Sequence, residues 1–184
     1  THLWRAHGAN DRDADAAHWR RIHRLGLRKV VVTDHETGWR DEGESFTFRT
    51  QAAPGRGGNP ALKRFVADVQ HLGWRVGLYT NYTDYAPVNA LWDPDWVTRT
   101  PDGDWLRAWT RCYAPKPMIS VQMEALLAPQ IQAAFGENHS YCDVHTAVTP
   151  FDRVDYDARV PGAGTFRQTF ECFGRLLHNE KTAH

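Results

Sequence analysis

The chain has 184 residues, of which 41% are hydrophobic and 24% charged, with 22 basic and 22 acidic side chains. This composition supports a hydrophobic core and excludes the disordered and fibrous classes. Zero formal net charge offers no basic stripe for a phosphate backbone, and no apolar run approaches the roughly 20 residues of a membrane helix, so neither nucleic acid nor membrane is expected as a partner.

Four amphipathic helices are predicted, three of them followed by Gly, a short apolar strand and a polar loop. "THLW" at residues 1–4 reads as the tail of a first strand. The first helix runs through "DADAAHWRRIHRLG" at 13–26, with Ala14, Ala17, His18, Ile22 and Leu25 at helical spacing and Gly26 as C-cap. "RKVVVTDHE" follows as a strand. The second helix begins at "NPALKRFVADVQHLG", with Asn59 as cap, Pro60 in the first helical position and a stripe of Leu62, Phe65, Val66, Val69 and Leu72. Its strand is "WRVGLYTNYTDY". The third helix, "ISVQMEALLAPQIQAAFG", aligns Met123, Leu127, Ile131 and Ala134, with a kink expected at Pro129, and leads into "HSYCDVHT". The fourth starts at "TFRQTFECFGRLLH", where Thr165 and Gln168 have capping-box spacing and Phe166, Phe170 and Phe173 form the expected buried stripe.

Four βα units with parallel strands predict an α/β fold, either a (β/α)8 TIM-type barrel or a doubly wound sheet, and the barrel is favoured. A whole barrel takes about 250 residues, so residues 1–184 read as one partial domain, the N-terminal half, of a longer protein. The absence of an initiator Met fits that expectation and leaves the compartment open. Cys112, Cys142 and Cys172 are too few and too scattered for a disulfide framework or zinc knuckle, and no cofactor is expected.

Ligands of such folds bind at the C-terminal ends of the strands. There the sequence carries Asp34, His35 and Glu36, then Asn81, Tyr82 and Asp84, then Asp143 and His145. Strand alternation turns Gly77, Tyr79 and Asn81 inward, and likewise Tyr141, Asp143 and His145, while Cys142 and Val144 face the helices. Any one of these acids reads equally well as a solvated loop residue; three polar strand ends together favour a site.

The connection 82–117 is much longer than the roughly 12 to 15 residues usual for a structureless loop, and it holds Trp92, Trp96, Trp105 and Trp109 among Asp93, Asp95, Asp102, Asp104, Arg107 and Arg111. Flat rings interleaved with hydrogen-bonding groups suit a sugar, whose C–H faces stack and whose hydroxyls bond; each ring alone is first expected in a private loop core. Trp96 and Trp105 flank the Gly103 turn, so one is expected as a stacking platform and the other as an anchor.

Within this loop, "DPDWVTRTPDGDW" resembles the loop at the same place in melibiase-like α-galactosidases. "YCDVHT" resembles the strand end where that clan, including endo-α-N-acetylgalactosaminidases, carries its nucleophilic Asp, although Cys142 stands where a Lys or Trp commonly precedes that residue. The resemblance covers most of the chain in layout and a dozen or so residues in motif. It implies a retaining glycoside hydrolase acting on an α-linked sugar of an oligosaccharide or glycoside, with Asp143 as nucleophile and the acid/base on the sixth strand, outside this chain. Retention requires such a pair of carboxyl groups. Asp34, His35, Glu36, Tyr79, Asn81, Asp84, Trp96, Trp105 and His145 are expected to bind the sugar or orient its neighbours. Asp155, Asp157 and Arg159 would rim the same mouth or form a turn network.

Two rival readings remain at this level. A metal-dependent hydrolase could use Asp143 with His145, and Asp34 with His35 and Glu36, but no HxH or HExxH pattern occurs among the ten His. A carbohydrate-binding barrel without chemistry would keep the same Trp-rich cleft.

Overall fold

The computed structural model describes residues 3–7 and 11–184. Four parallel strands form one sheet in the order β1-β2-β3-β4: β1 Leu3–His7, β2 Val30–Asp34, β3 Arg75–Thr80 and β4 His139–Cys142. Helices α1 Arg12–Arg24, α3 Gly58–Gln70 and α4 Pro117–Phe135 connect successive strands, α2 Glu36–Trp39 adds one turn after β2, and α5 Phe166–Ala183 follows β4. The α/β class and the parallel strands therefore agree with the sequence pattern. Leu3 and Trp4 of the expected "THLW" strand begin β1, which continues to His7; Thr1 and His2 lie outside the described residues.

Register decides which side chains share a face. Thr33 pairs with Gly77 and Asp34 with Leu78, while Gly77 pairs with His139 and Tyr79 with Tyr141. Val30, Val32, Val76 and Leu78 pack with Trp19, Leu62, Phe65 and Val69 in the main core between sheet and helices. Gly77 belongs to the opposite face, where a Cβ would stand 2.8 Å from the His139 backbone oxygen. The room it leaves is thus taken by the neighbouring strand.

Helix faces differ from expectation in two places. In α1, Arg12, Ala16 and Trp19 are buried, while Ala14, Ala17, His18 and Leu25 are exposed. An Ala-rich helix carries little apolar signal, and Trp19, the largest apolar group, sets its rotation. In α5 the buried face is Thr169, Phe173, Leu176 and Glu180, leaving Phe170 exposed and Phe166 stacked on Phe151 at 4.1 Å. The stripe of α3 agrees, but Asn59 caps nothing: its side-chain oxygen accepts from Ala52 N–H at 2.8 Å, and Gly57, at φ 88°, precedes the helix instead, so Pro60 is its third residue and not its first. Pro129 lies inside α4, which runs unbroken through it. Thr165 caps α5 as expected, accepting from Gln168 N–H at 3.4 Å.

The 82–117 connection is ordered by antiparallel pairing of Tyr85 with Tyr113, Val97 with Pro115 and Arg99 with Trp105. It is tied to the loop after β4: Asp155 accepts from Arg99 N–H at 2.9 Å, and Asp157 pairs with Lys116 at 2.6 Å and with Arg159 at 2.7 Å. Hydrogen bonds from Arg159 and Lys116 hold the Asp157 carboxyl well below its usual range. Of the two readings of this segment, the turn network is the one observed.

Candidate active site

The inward row at the sheet's C-terminal end is aromatic. His35, Tyr79 and Tyr141 stand side by side, with His35 5.1 Å from Tyr79 and 5.9 Å from Tyr141 between ring centroids, and the tyrosines 6.0 Å apart. Above them lies Asp143, partly buried, whose backbone N–H donates to Thr80 C=O at 2.9 Å as the last rung of the β3–β4 ladder. Its carboxylate accepts from Tyr79 Oη at 3.1 Å and from Tyr141 Oη at 3.4 Å.

Behind Tyr79 runs a chain of satisfied polar groups. Asn81 Nδ2 donates to Tyr79 Oη at 2.8 Å and to Asp84 Oδ2 at 2.9 Å, and Asn81 Oδ1 accepts from the N–H groups of Thr83 and Asp84, each at 2.9 Å. A fully used amide of this kind fixes both its own rotamer and its neighbours. Burial, and after it the charge of Asp143, push the Tyr79 phenol well above its ordinary pKa against the opposing Asn81 bond, so it stays an O–H donor. The Tyr141 phenol is raised by the same two causes. Asp84 also accepts from Trp109 N–H at 3.2 Å, which links the loop tip to the row.

At the strand ends, two expected site residues lie elsewhere. Asp34 faces the helices, as its pairing with Leu78 requires. It is fully buried and forms an ion pair with Arg12 at 2.7 Å; Arg12 also donates to Gly38 C=O and lies over the Phe65 ring. The alternation rule that placed Tyr79 inward would have excluded Asp34 had it been applied to β2. His145 is the second departure. It was expected beside Asp143, but β4 ends at Cys142, and Val144 takes φ 73°, which breaks the alternation. The imidazole is instead buried against Phe173 at 4.7 Å, and burial lowers its pKa to about 4.

In the long loop, Trp96 and Trp105 are both partly buried in an aromatic cluster. Trp105 packs edge-on to Tyr113 at 5.1 Å, and Trp96 stacks with Tyr85 at 6.3 Å. Both therefore take the anchor position. Trp109 is the exposed ring, 66% accessible, at the edge of a cleft of about 610 Å³ lined also by Glu36, Arg40, Phe46, Val88 and Arg111. Nothing in the sequence singled it out among four tryptophans; its position at the tip of the Leu106–Ala114 pairing is visible only in the folded loop. Glu36, in the first turn of α2, is the predicted residue that reaches this cleft. Among the described residues, no three His, Cys, Asp or Glu side chains converge in a way that could hold a metal ion.

No family model matches the sequence, and a search of curated proteins returns no match. Solved structures do match. An α-N-acetylgalactosaminidase from Bifidobacterium bifidum superposes with a TM-score of 0.82 at 15% identity, over 100% of this chain and 33% of that one. An α-galactosidase from Thermus thermophilus, solved with p-nitrophenyl α-D-galactopyranoside, gives 0.67 at 17% identity over 99% and 36%. A GH36 α-galactosidase from Geobacillus stearothermophilus gives 0.62 at 16% identity over 98% and 26%. In fold, the chain is similar to melibiase-like α-glycosidases. It spans about a third of the length of the first of these structures.

Proposed function

We propose that this chain is part of a (β/α)8 barrel of a retaining α-glycosidase in which Asp143 is the nucleophile. The observation that carries the reading is the Asp143 carboxylate at the end of β4, held by two tyrosine hydroxyls at 3.1 and 3.4 Å. The similarity in fold to α-galactosidases and an α-N-acetylgalactosaminidase supports it.

Retaining hydrolysis needs an ionised carboxylate aimed at the anomeric carbon and a second, protonated carboxyl beside the leaving oxygen, about 5 to 5.5 Å away. Two neutral phenols donating to Asp143 hold its orientation. The second carboxyl, on this reading, comes from outside residues 1–184. The substrate is an α-galactoside or α-N-acetylgalactosaminide, and Trp109 with Glu36 forms a wall of its binding cleft. The cleft, of about 610 Å³, is in the range of small-ligand sites; Asp143 does not line it and is joined to it through the hydrogen bonds from Trp109 to Asp84, Asn81 and Tyr79. Joint metal ligation by Asp143 and His145 draws no support from the geometry, since the His145 ring packs on Phe173 while the carboxylate meets Tyr79 and Tyr141.

The test is turnover of aryl α-galactoside and aryl α-N-acetylgalactosaminide by the full-length protein and its Asp143→Asn variant. The variant should lose turnover and keep sugar binding. Normal turnover would reject the nucleophile; binding by the parent without turnover of any α-glycoside would favour the non-catalytic barrel.

A further inference from the structure

The turn that follows Asp143 is unusual for its sequence. Val144 adopts φ 73°, a region that β-branched residues rarely enter because the side chain collides with the backbone. Such a conformation persists only where its surroundings over-determine it.

Here the restraint comes from both sides of the 143–145 segment. Asp143 C=O accepts the His145 backbone N–H at 2.9 Å, and His145 Nδ1 stands 3.3 Å from the same oxygen. With its proton on Nδ1, the neutral ring makes a second bond to that carbonyl. On the other side, Val144 C=O accepts Ala147 N–H at 2.8 Å and Val148 N–H at 2.9 Å. The imidazole is 4% exposed, lying between Phe173 at 4.7 Å and Tyr82 at 6.5 Å, with Cys142 Sγ 3.6 Å from Nδ1. Its Nε2 is buried with no hydrogen-bond partner among the described residues. Shape holds the ring, and its polar contact is spent on the Asp143 carbonyl.

We propose that His145 is a positioning residue: it clamps the left-handed Val144 turn and so fixes the direction in which Asp143 presents its carboxylate. The inference rests on the reading of Asp143 as nucleophile. If the clamp is released, Val144 is free to return to negative φ and the carboxylate leaves its two tyrosine donors. A displacement of about 1 Å of a reacting group costs on the order of 100-fold in rate.

The experiment follows covalent labelling of the full-length protein by an activated 5-fluoro α-glycosyl fluoride, with the modified peptide identified by mass spectrometry. Label should appear on Asp143. His145→Phe, which fills the same space without an N–H, should label about 100-fold more slowly with KM little changed, and His145→Asn, which restores a donor, should recover most of the rate. Glycine accepts positive φ without strain, so in a Val144→Gly background the His145→Phe loss should shrink to about 10-fold or less. That background also provides the readout if His145→Phe alone fails to fold. Equal losses in both backgrounds, or no loss at all, would overturn the positioning role alone. Parent protein labelled at another residue would overturn the nucleophile reading, and the positioning role with it.

Discussion

Replacing Arg12 by Met tests the claim that Asp34 is structural. The Arg12 and Asp34 side chains are 4% and 0% exposed and 2.7 Å apart, and Arg12 also bonds Gly38 C=O and covers Phe65 at 5.4 Å. Met keeps the apolar contact with Phe65 and removes the charge, so the loss reports the broken ion pair. Breaking one partner of a buried pair costs about 3 to 5 kcal/mol, far more than an exposed pair would. Arg12→Met in the full-length protein should therefore lower unfolding stability by about 3 to 5 kcal/mol in urea. Asp34→Asn should cost a similar amount, and the double variant clearly less than the sum, because both substitutions break the same ion pair. Refolded Asp34→Asn should keep the parent KM per active molecule. A loss below about 1 kcal/mol for Arg12→Met, or a raised KM for Asp34→Asn at unchanged stability, would return Asp34 to the substrate mouth.

Three further outcomes are expected. Burial holds His145 at a pKa of about 4, so between its ordinary 6.5 and that value the unfolded chain binds a proton that the folded chain does not; stability should fall by about 3 kcal/mol as pH drops through this window. His145→Phe should lose that component, and identical pH slopes for parent and variant would contradict it. Tyr79→Phe removes one of the two donors to Asp143 and the acceptor of Asn81; kcat should fall roughly 10-fold or more, since a hydrogen bond to a charged group contributes about 1.5 to 3 kcal/mol, and an unchanged kcat would refute the orienting role. Trp109→Ala should raise KM for the glycoside with stability within about 0.5 kcal/mol of the parent, because the ring is 66% exposed, whereas Trp105→Ala should cost about 3 to 5 kcal/mol; urea titration with steady-state kinetics separates the two.

Much of the layout was legible because hydrophobic periodicity reports burial. The α3 stripe of Leu62, Phe65, Val66 and Val69, the parallel strands, and the inward row of Tyr79 and Tyr141 follow from it. Periodicity fails where side chains carry little contrast or where another face competes. Ala-rich α1 turned on Trp19, and α5 buried Thr169 and Glu180 while leaving Phe170 in solvent. Buried Glu180 is accommodated because Thr80 and Tyr82 donate to it at 3.2 and 3.1 Å, partners far away in sequence. The strand ends divided along the same line. Counting along a strand places Asp143 beside Tyr79 and Tyr141, as observed, but His145 was misplaced because alternation ends where the strand does, and a positive φ at a valine leaves no mark in sequence. Trp109 differs from Trp96 and Trp105 only in how the loop folds back on itself.

Whether Asp143 attacks the anomeric carbon of an α-glycoside is decided by azide rescue of Asp143→Gly in the full-length protein. With an activated aryl α-glycoside, azide entering the space vacated by the carboxylate attacks from the face opposite the leaving group. Turnover should be restored, with a β-glycosyl azide as product, identified by its anomeric proton coupling. An α-glycosyl azide would mark Asp143 as the acid/base instead, and turnover of Asp143→Gly at the parent rate without azide would remove it from the chemistry altogether.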